Sequence, residues 1–325
     1  MIARRLLLVS LLALSAVGGC KKSGGNSGAM KIAVVPKGTT HEFWKAVHAG
    51  ASKAGKELGV EIAWNGPLKE DDLKGQIDIV QSFTSQGVSG IVLAPLNDKA
   101  LQKSVHDAVG SKVPVVIFDS DLQGSDHSSF VATDNVAAGK LAGEAMAKTL
   151  GDKGNVVVLR YQVGSASTSN REDGFLQAIK AHPGVTVVSE NQYGGATTET
   201  ANAKSESLLA AQKAGDGQVQ GVFCPNESTT FGMLLALRKA GLAGKVTFIG
   251  FDSSDKLIEG MQSGDIQALV LQNPYMMGYR AVGAMVDVIR GKATEKRIDT
   301  GVMLLTKENM GEPAMKALLH PDLGE

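Results

Sequence analysis

Short runs dense in valine and isoleucine recur along the chain, each bounded by glycine, proline or a polar residue. They are KIAVV at 31–35, VEIAW at 60–64, GIVLAPL at 90–96, VPVVIFD at 113–119 and NVVVLR at 155–160, then GVTVVSE at 184–190, GVFCPN at 221–226, VTFIGFD at 246–252 and IQALVLQ at 266–272. Continuous apolar runs of this length predict strands buried on both faces. Between them lie longer stretches with apolar residues at helical spacing, such as DDLKGQIDIVQSFTSQG at 71–87, NVAAGKLAGEAMAKTLG at 135–151 and GFLQAIKAH at 174–182. Strand and helix in alternation predict an α/β fold of parallel sheets wrapped by helices. The strands outnumber what one small sheet needs, and a polar turn at VATDNVAAGK, 131–140, separates roughly equal halves, so two lobes are expected. The halves share a pattern and no tight residue-level repeat.

The first twenty residues follow a different rule. Arg4 and Arg5 precede an apolar run from Leu6 to Val17 that is short for a bilayer span, and small residues follow it. This is the pattern of an export signal. Its ending, Val17-Gly18-Gly19-Cys20, resembles the lipobox of bacterial lipoproteins, which implies cleavage before Cys20 and lipid on its thiol. The stretch KKSGGNSGAM at 21–30 reads as a flexible Gly/Ser-rich tether holding the folded part off the membrane.

Composition then removes several classes. With 43% hydrophobic residues in 325, the chain can bury a large core. Lysine plus arginine equals aspartate plus glutamate, 33 each, so no overall field draws it to nucleic acid. Of the two cysteines, Cys224 sits in an apolar run and reads as a buried small hydrophobe, and no disulfide is expected. The chain lacks a G-x-x-x-x-G-K-[ST] loop, a G-x-G-x-x-G after the first strand, an H-E-x-x-H and a G-x-S-x-G, and its six histidines are not paired at ligand spacing. A catalytic role, a cofactor and a metal are therefore not expected. Neither is a DNA-binding role, since the overall charge gives no basic surface.

Chemistry concentrates after the strands. In parallel α/β sheets ligands bind beyond the carboxyl ends of the strands. Those ends carry Lys37 to Trp44, Asn65, Asn97-Asp98, Asp119-Ser120-Asp121, Arg160-Tyr161-Gln162, Asn191-Gln192-Tyr193, Asn226-Glu227, Asp252-Ser253 and Gln272-Asn273. Planar amides, carboxylates and a guanidinium suit adjacent hydroxyl groups, and aromatic faces suit the C–H faces of a sugar ring. Asn, Asp and Ser also start turns and cap helices, which accounts for many single positions but not for their coincidence with Phe43 and Trp44. Thr39-Thr40-His41-Glu42 has the form of a capping box, which predicts a helix starting there with Thr39 as its cap. Phe43 lies on the face of that helix toward the sheet, and Trp44, about 100° around, lies at its margin facing the cleft.

From Lys31 to about Met310 the chain resembles the periplasmic sugar-binding proteins of ABC importers, with the type I, ribose-binding-protein-like fold. The resemblance rests on KIAVVPKGTTHEFWKAVHAGASKAGKELG, GIVLAPLND, VPVVIFDSD, FVATDNVAAGKLAGE, STSNREDGFLQAI, VFCPNESTTFGMLLALRKAG, FIGFDSSDKLIEGMQSGDIQALVLQNPYMMGYRAV and TKEN, in that order and spacing. It implies two Rossmann-like lobes joined by a three-segment hinge near Asp134, Gln272–Asn273 and Gly301. One lobe is expected over 31–133 plus 274–301 and the other over 134–273 plus 302–325. It implies sugar contacts at Phe43 and Trp44 on the ring, at Asp119 and Arg171, and at Asn226, Asp252 and Gln272. His41, Asp121 and Glu227 are further candidates. The implied partners are a monosaccharide, the permease and ATPase subunits of the importer, and a membrane reached through the lipid on Cys20. The implied state is a monomer outside the cytoplasm. Ser120 stands where ribose-type binders have arginine, and His41 replaces a usual asparagine. The alternative ligands are a signalling furanone, a nucleoside or a polyol, or the protein serves a chemoreceptor.

Overall fold

A computed structural model describes residues 30–319, and the expected export signal, Cys20 and tether up to residue 29 lie outside the described residues. The elements in chain order are β1 (Lys31–Val35), α1 (Glu42–Leu58), β2 (Glu61–Trp64), α2 (Leu73–Gln86), β3 (Gly90–Leu93), α3 (Gln102–Gly110), β4 (Val115–Phe118), β5 (Ser129–Ala132) and α4 (Asn135–Leu150). There follow β6 (Gly154–Arg160), α5 (Ala166–Ile179), β7 (Val185–Tyr193), α6 (Thr198–Ala211), β8 (Gly221–Phe223), α7 (Glu227–Lys239), β9 (Thr247–Phe251), α8 (Asp255–Gln262) and β10 (Ala268–Leu271). The described residues end with α9 (Pro274–Ile289), β11 (Arg297–Asp299), β12 (Met303–Leu305) and α10 (Pro313–Leu319).

The strands form two six-stranded sheets, in the orders β11-β5-β4-β3-β1-β2 and β12-β10-β9-β8-β6-β7. The apolar runs are the reason the inner strands sit where they do. β3, β4 and β10 are buried along their whole length, whereas β2 and β7 at the edges are partly exposed. All pairings are parallel except β10 with β12. That antiparallel edge departs from the expectation of purely parallel sheets, and it arises because β12 returns along β10 after a short connection from the other lobe. The chain passes between lobes after β5, after β10 and after β11.

Two helix pairs fix the helices that carry Phe43, Trp44 and Arg171. A Cβ on Gly50 would lie 1.9 Å from the carbonyl oxygen of Tyr275, and one on Gly278 would lie 2.1 Å from that of Val47, so α1 and α9 touch backbone to backbone. In the other lobe a Cβ on Gly139 would meet the carbonyl oxygen of Arg171 at 2.0 Å, and one on Gly174 that of Val136 at 2.2 Å, which locks α4 to α5.

Candidate ligand site between the lobes

The loops at the carboxyl ends of both sheets face one another across a small cavity of about 30 Å³. Its walls hold every residue expected to act there except Asp121.

The first lobe supplies the aromatics. The rings of Phe43 and Trp44 meet edge to face, 4.9 Å apart, and Trp44 makes a second such contact with Phe118. The Trp44 indole N–H donates to Glu70 Oε1 at 2.6 Å, so the ring is held by a polar anchor as well as by packing. Glu70, on the loop after β2, also pairs with His41 Nδ1 at 2.8 Å and accepts from the hydroxyl of Tyr161 in the second lobe. Burial alone would raise the Glu70 carboxyl, but His41 and Lys37 outweigh it and hold the group near a pKa of about 2. Burial would likewise lower His41, and its carboxylate neighbours, Glu70 foremost, raise it to about 9 instead. Lys37, only 3% exposed, pairs with Asp119 Oδ2 at 2.9 Å.

The second lobe supplies a guanidinium and a carboxylate. Arg171 on α5 donates from Nε to Asn135 Oδ1 and from Nη1 to the Pro225 carbonyl, and its guanidinium lies 4.3 Å over the Phe251 ring. Asp252 accepts from Gln272 Nε2 at 2.7 Å and from the Glu227 amide at 3.0 Å. Burial raises the Asp252 carboxyl, with Arg171 opposing, and it lowers Arg171, with Asp252 and Asp119 opposing. Of the residues lining the cavity, two carry a buried side-chain atom with no hydrogen-bond partner among the described residues: Arg171 Nη2, a donor, and Gln272 Oε1, an acceptor. Buried polar groups are nearly always paired, and a hydroxyl, which both accepts and donates, suits an unpaired donor and acceptor lining one cavity.

Two readings need correction. Asp121 is exposed, accepts from the amide of Leu122, and lines a separate groove with His127 and Lys296. The left-handed backbone at Asp119, φ 60°, turns the chain away from the cavity before Asp121 is reached. Thr39 does not cap α1: its hydroxyl donates to the Pro67 carbonyl, the N-cap is His41, and no side chain of the local segment caps the helix. Asn226 lines the cavity and at the same time caps α7, accepting from the amide and hydroxyl of Thr229. Sequence reasoning passed over Glu70, which sits in an acidic loop, GPLKEDD, that reads as solvated surface. Tyr161, Ser167 and Thr168 also line the cavity. One usable signal was missed: Phe-Asp-Ser occurs at 118–120 and again at 251–253, at the ends of β4 and β9.

The two-sheet architecture with a cavity at the strand ends invites comparison with known proteins, and residues 32–293 match the family model of the periplasmic binding protein domain. The chain belongs to the periplasmic binding protein family. Its place is in the type I, ribose-binding-protein-like branch. It is 28% identical over 280 residues to the ribose import binding protein of Haemophilus influenzae, covering 85% of this chain and 91% of that one. A carbohydrate transporter solute-binding protein from Agrobacterium radiobacter, solved with D-arabinose, is 35% identical with a TM-score of 0.85, covering 90% of this chain and 99% of that one. An ABC transporter solute-binding protein from Agrobacterium vitis, solved with D-fucose, is 36% identical with a TM-score of 0.85, covering 89% of this chain and 100% of that one. These are solute-binding transport proteins, and this chain is likewise a binding protein and not an enzyme.

Proposed function

We propose that the chain is the solute-binding component of an ABC importer, that it takes a neutral monosaccharide into the interlobe cavity, and that it presents the sugar to its permease. The observation that carries this reading is the pair of orphaned atoms, Arg171 Nη2 and Gln272 Oε1, in the cavity walled by Phe43, Trp44, Asp119 and Asp252. Hydroxyl groups can both accept from the guanidinium and donate to the amide oxygen, and the aromatic rings cover the apolar faces of a sugar. Charge supports neutrality. Lys37, His41 and Arg171 balance Glu70, Asp119 and Asp252, while burial pushes Glu227 up to about 7 and leaves it only partly charged at neutral pH. The relatives solved with D-arabinose and D-fucose and the ribose binder support a ligand of pentose or hexose size.

The lobes, 31–133 plus 274–301 and 134–273 plus 302–325, close about the three crossings on binding, because hydrogen bonds from both sides of a ligand favour the closed arrangement. The protein acts as a monomer, held by lipid on Cys20 at a membrane surface outside the cytoplasm. A thermal-shift screen tests the ligand class, since a ligand specific to the native state raises the melting midpoint. D-ribose, D-arabinose, D-fucose or a close stereoisomer is expected to raise it, and uronic acids and sugar phosphates are not. A midpoint moved by nucleosides, furanones or xylitol and by no monosaccharide would sink the sugar reading.

A further inference from the structure

Helix starts leave backbone amides without intrahelical partners, and five of the helices here solve this locally. The N-cap side chains Asp72, Asp134, Thr197, Asn226 and Asn273 accept from amides of their own helices α2, α4, α6, α7 and α9. Helices α1 and α5 receive no such bond from their N-cap residues, His41 and Ser165. The short helices α3 and α8 also lack one. Helices α1 and α5 are the ones that carry Phe43 and Trp44 in one lobe and Arg171 in the other.

Both are capped from across the cleft. Glu227, at the start of α7 in the second lobe, accepts from the first two amides of α1: Glu42 to Oε1 at 3.3 Å and Phe43 to Oε2 at 3.2 Å. Ser120, just after β4 in the first lobe, accepts through its buried hydroxyl from the amide of Ser167 in the first turn of α5, at 3.1 Å. Each lobe thus caps the ligand-bearing helix of the other. Lys37 reinforces the second seam, reaching Ser167 Oγ at 3.0 Å.

We infer that Glu227 and Ser120 are positioning residues that set sugar affinity by capping α1 and α5 only when the lobes are closed. In an open protein the same amides face water, so the caps favour closure and slow release without contacting sugar. Both oxygens of Glu227 are taken by α1, which gives this carboxylate a task other than reading hydroxyls. The exchange is reciprocal, so closing fixes Phe43 and Trp44 against one wall as it fixes Arg171 against the other. The inference rests on the reading that the lobes close over a sugar.

Small-angle scattering of the full chain, without sugar and with D-arabinose, reads the degree of closure, and stopped-flow mixing reads release. Ser120→Ala and Glu227→Ala are each expected to enlarge the radius of gyration and to speed release about fivefold, the scale of a lost helix cap. Ser120→Thr and Glu227→Gln keep an acceptor oxygen and are expected to recover much of both, which a loss of bulk packing would not. Unchanged radius and release in the two alanine variants overturn the inference. If D-arabinose binds no variant, the sugar-free comparison still decides: a closed fraction that falls in the alanine variants supports the caps, and a wild type as open as those variants refutes them.

Discussion

Asp119 and Asp252 occupy matching places in the two lobes. Each follows the last residue of a strand, β4 or β9, each has left-handed backbone with φ of 60° and 67°, and each donates its amide to the neighbouring strand, at Val131 and Val270. A left-handed non-glycine residue costs about 1–2 kcal/mol, and such strain collects at functional sites. Here it turns a carboxylate from each sheet into the same cavity.

The strain at Asp252 can be measured apart from the carboxylate. Asp252→Ala and Asp252→Gly both remove the acceptor for Gln272 and Glu227, but glycine takes the backbone conformation freely. The glycine variant is expected to be about 1 kcal/mol more stable than the alanine variant in urea unfolding. Equal stabilities would mean that the backbone at Asp252 relaxes.

Packing between helices should reach the site. Gly139→Ala drives a methyl against the carbonyl of Arg171, so α5 must move away from α4. A loss of about 1–3 kcal/mol in stability is expected, the usual range for overpacking, together with weaker sugar binding, because Arg171 moves with its helix. Calorimetry on this variant checks both. Lost stability with unchanged affinity would show that Arg171 does not depend on this contact.

Glu172 gives the stability a pH dependence of known sign. Burial, only partly opposed by the Tyr161 amide and Arg160, raises its carboxyl from 4.5 to about 7 in the native state. The native protein therefore holds a proton that the unfolded chain releases, and this contribution is full below about 4.5 and lost as pH rises through about 7. The difference in melting midpoint between wild type and Glu172→Gln is expected to shift in favour of the variant from pH 5 to pH 8. A constant difference would contradict the assignment.

The His41–Glu70 pair makes the opposite demand at each end of the scale. Glu70, held near 2 against an ordinary 4.5, loses its contribution as pH falls through that interval; His41, raised from 6.5 to about 9, loses its own as pH rises through that one. Both are fully present between about 4.5 and 6.5. In Glu70→Gln the largest raising influence on His41 is gone while its burial remains, so its midpoint, followed by NMR, is expected to fall by about two units or more. A His41 midpoint that stays near its wild-type value would remove Glu70 as the cause.

The legible part of this protein was the part written locally. β1, β4 and β9 are uninterrupted apolar runs, and a strand end plus a neighbouring helix start places Phe43, Asp119 and Asp252 without reference to the rest of the chain. β5, β11 and β12 escaped notice because SFVA, RID and MLL are too short to show a period. The start of α1 was misread for a different reason: its capping partner is Glu227, 185 residues away, and Thr39 offered a local substitute with the right letters. Glu70 was hidden because an acidic loop gives no sign that a tryptophan, a histidine and a tyrosine from the other lobe converge on it.

The central claim is that Arg171 and Asp252 read a sugar in the interlobe cavity, and calorimetric titration of D-ribose, D-arabinose and D-fucose tests it most directly. At least one of these is expected to bind the wild type at one site, and Arg171→Ala and Asp252→Ala are expected to weaken it by roughly thirtyfold or more, the value of a charge-assisted hydrogen bond. Wild-type affinity in both folded variants would contradict the account.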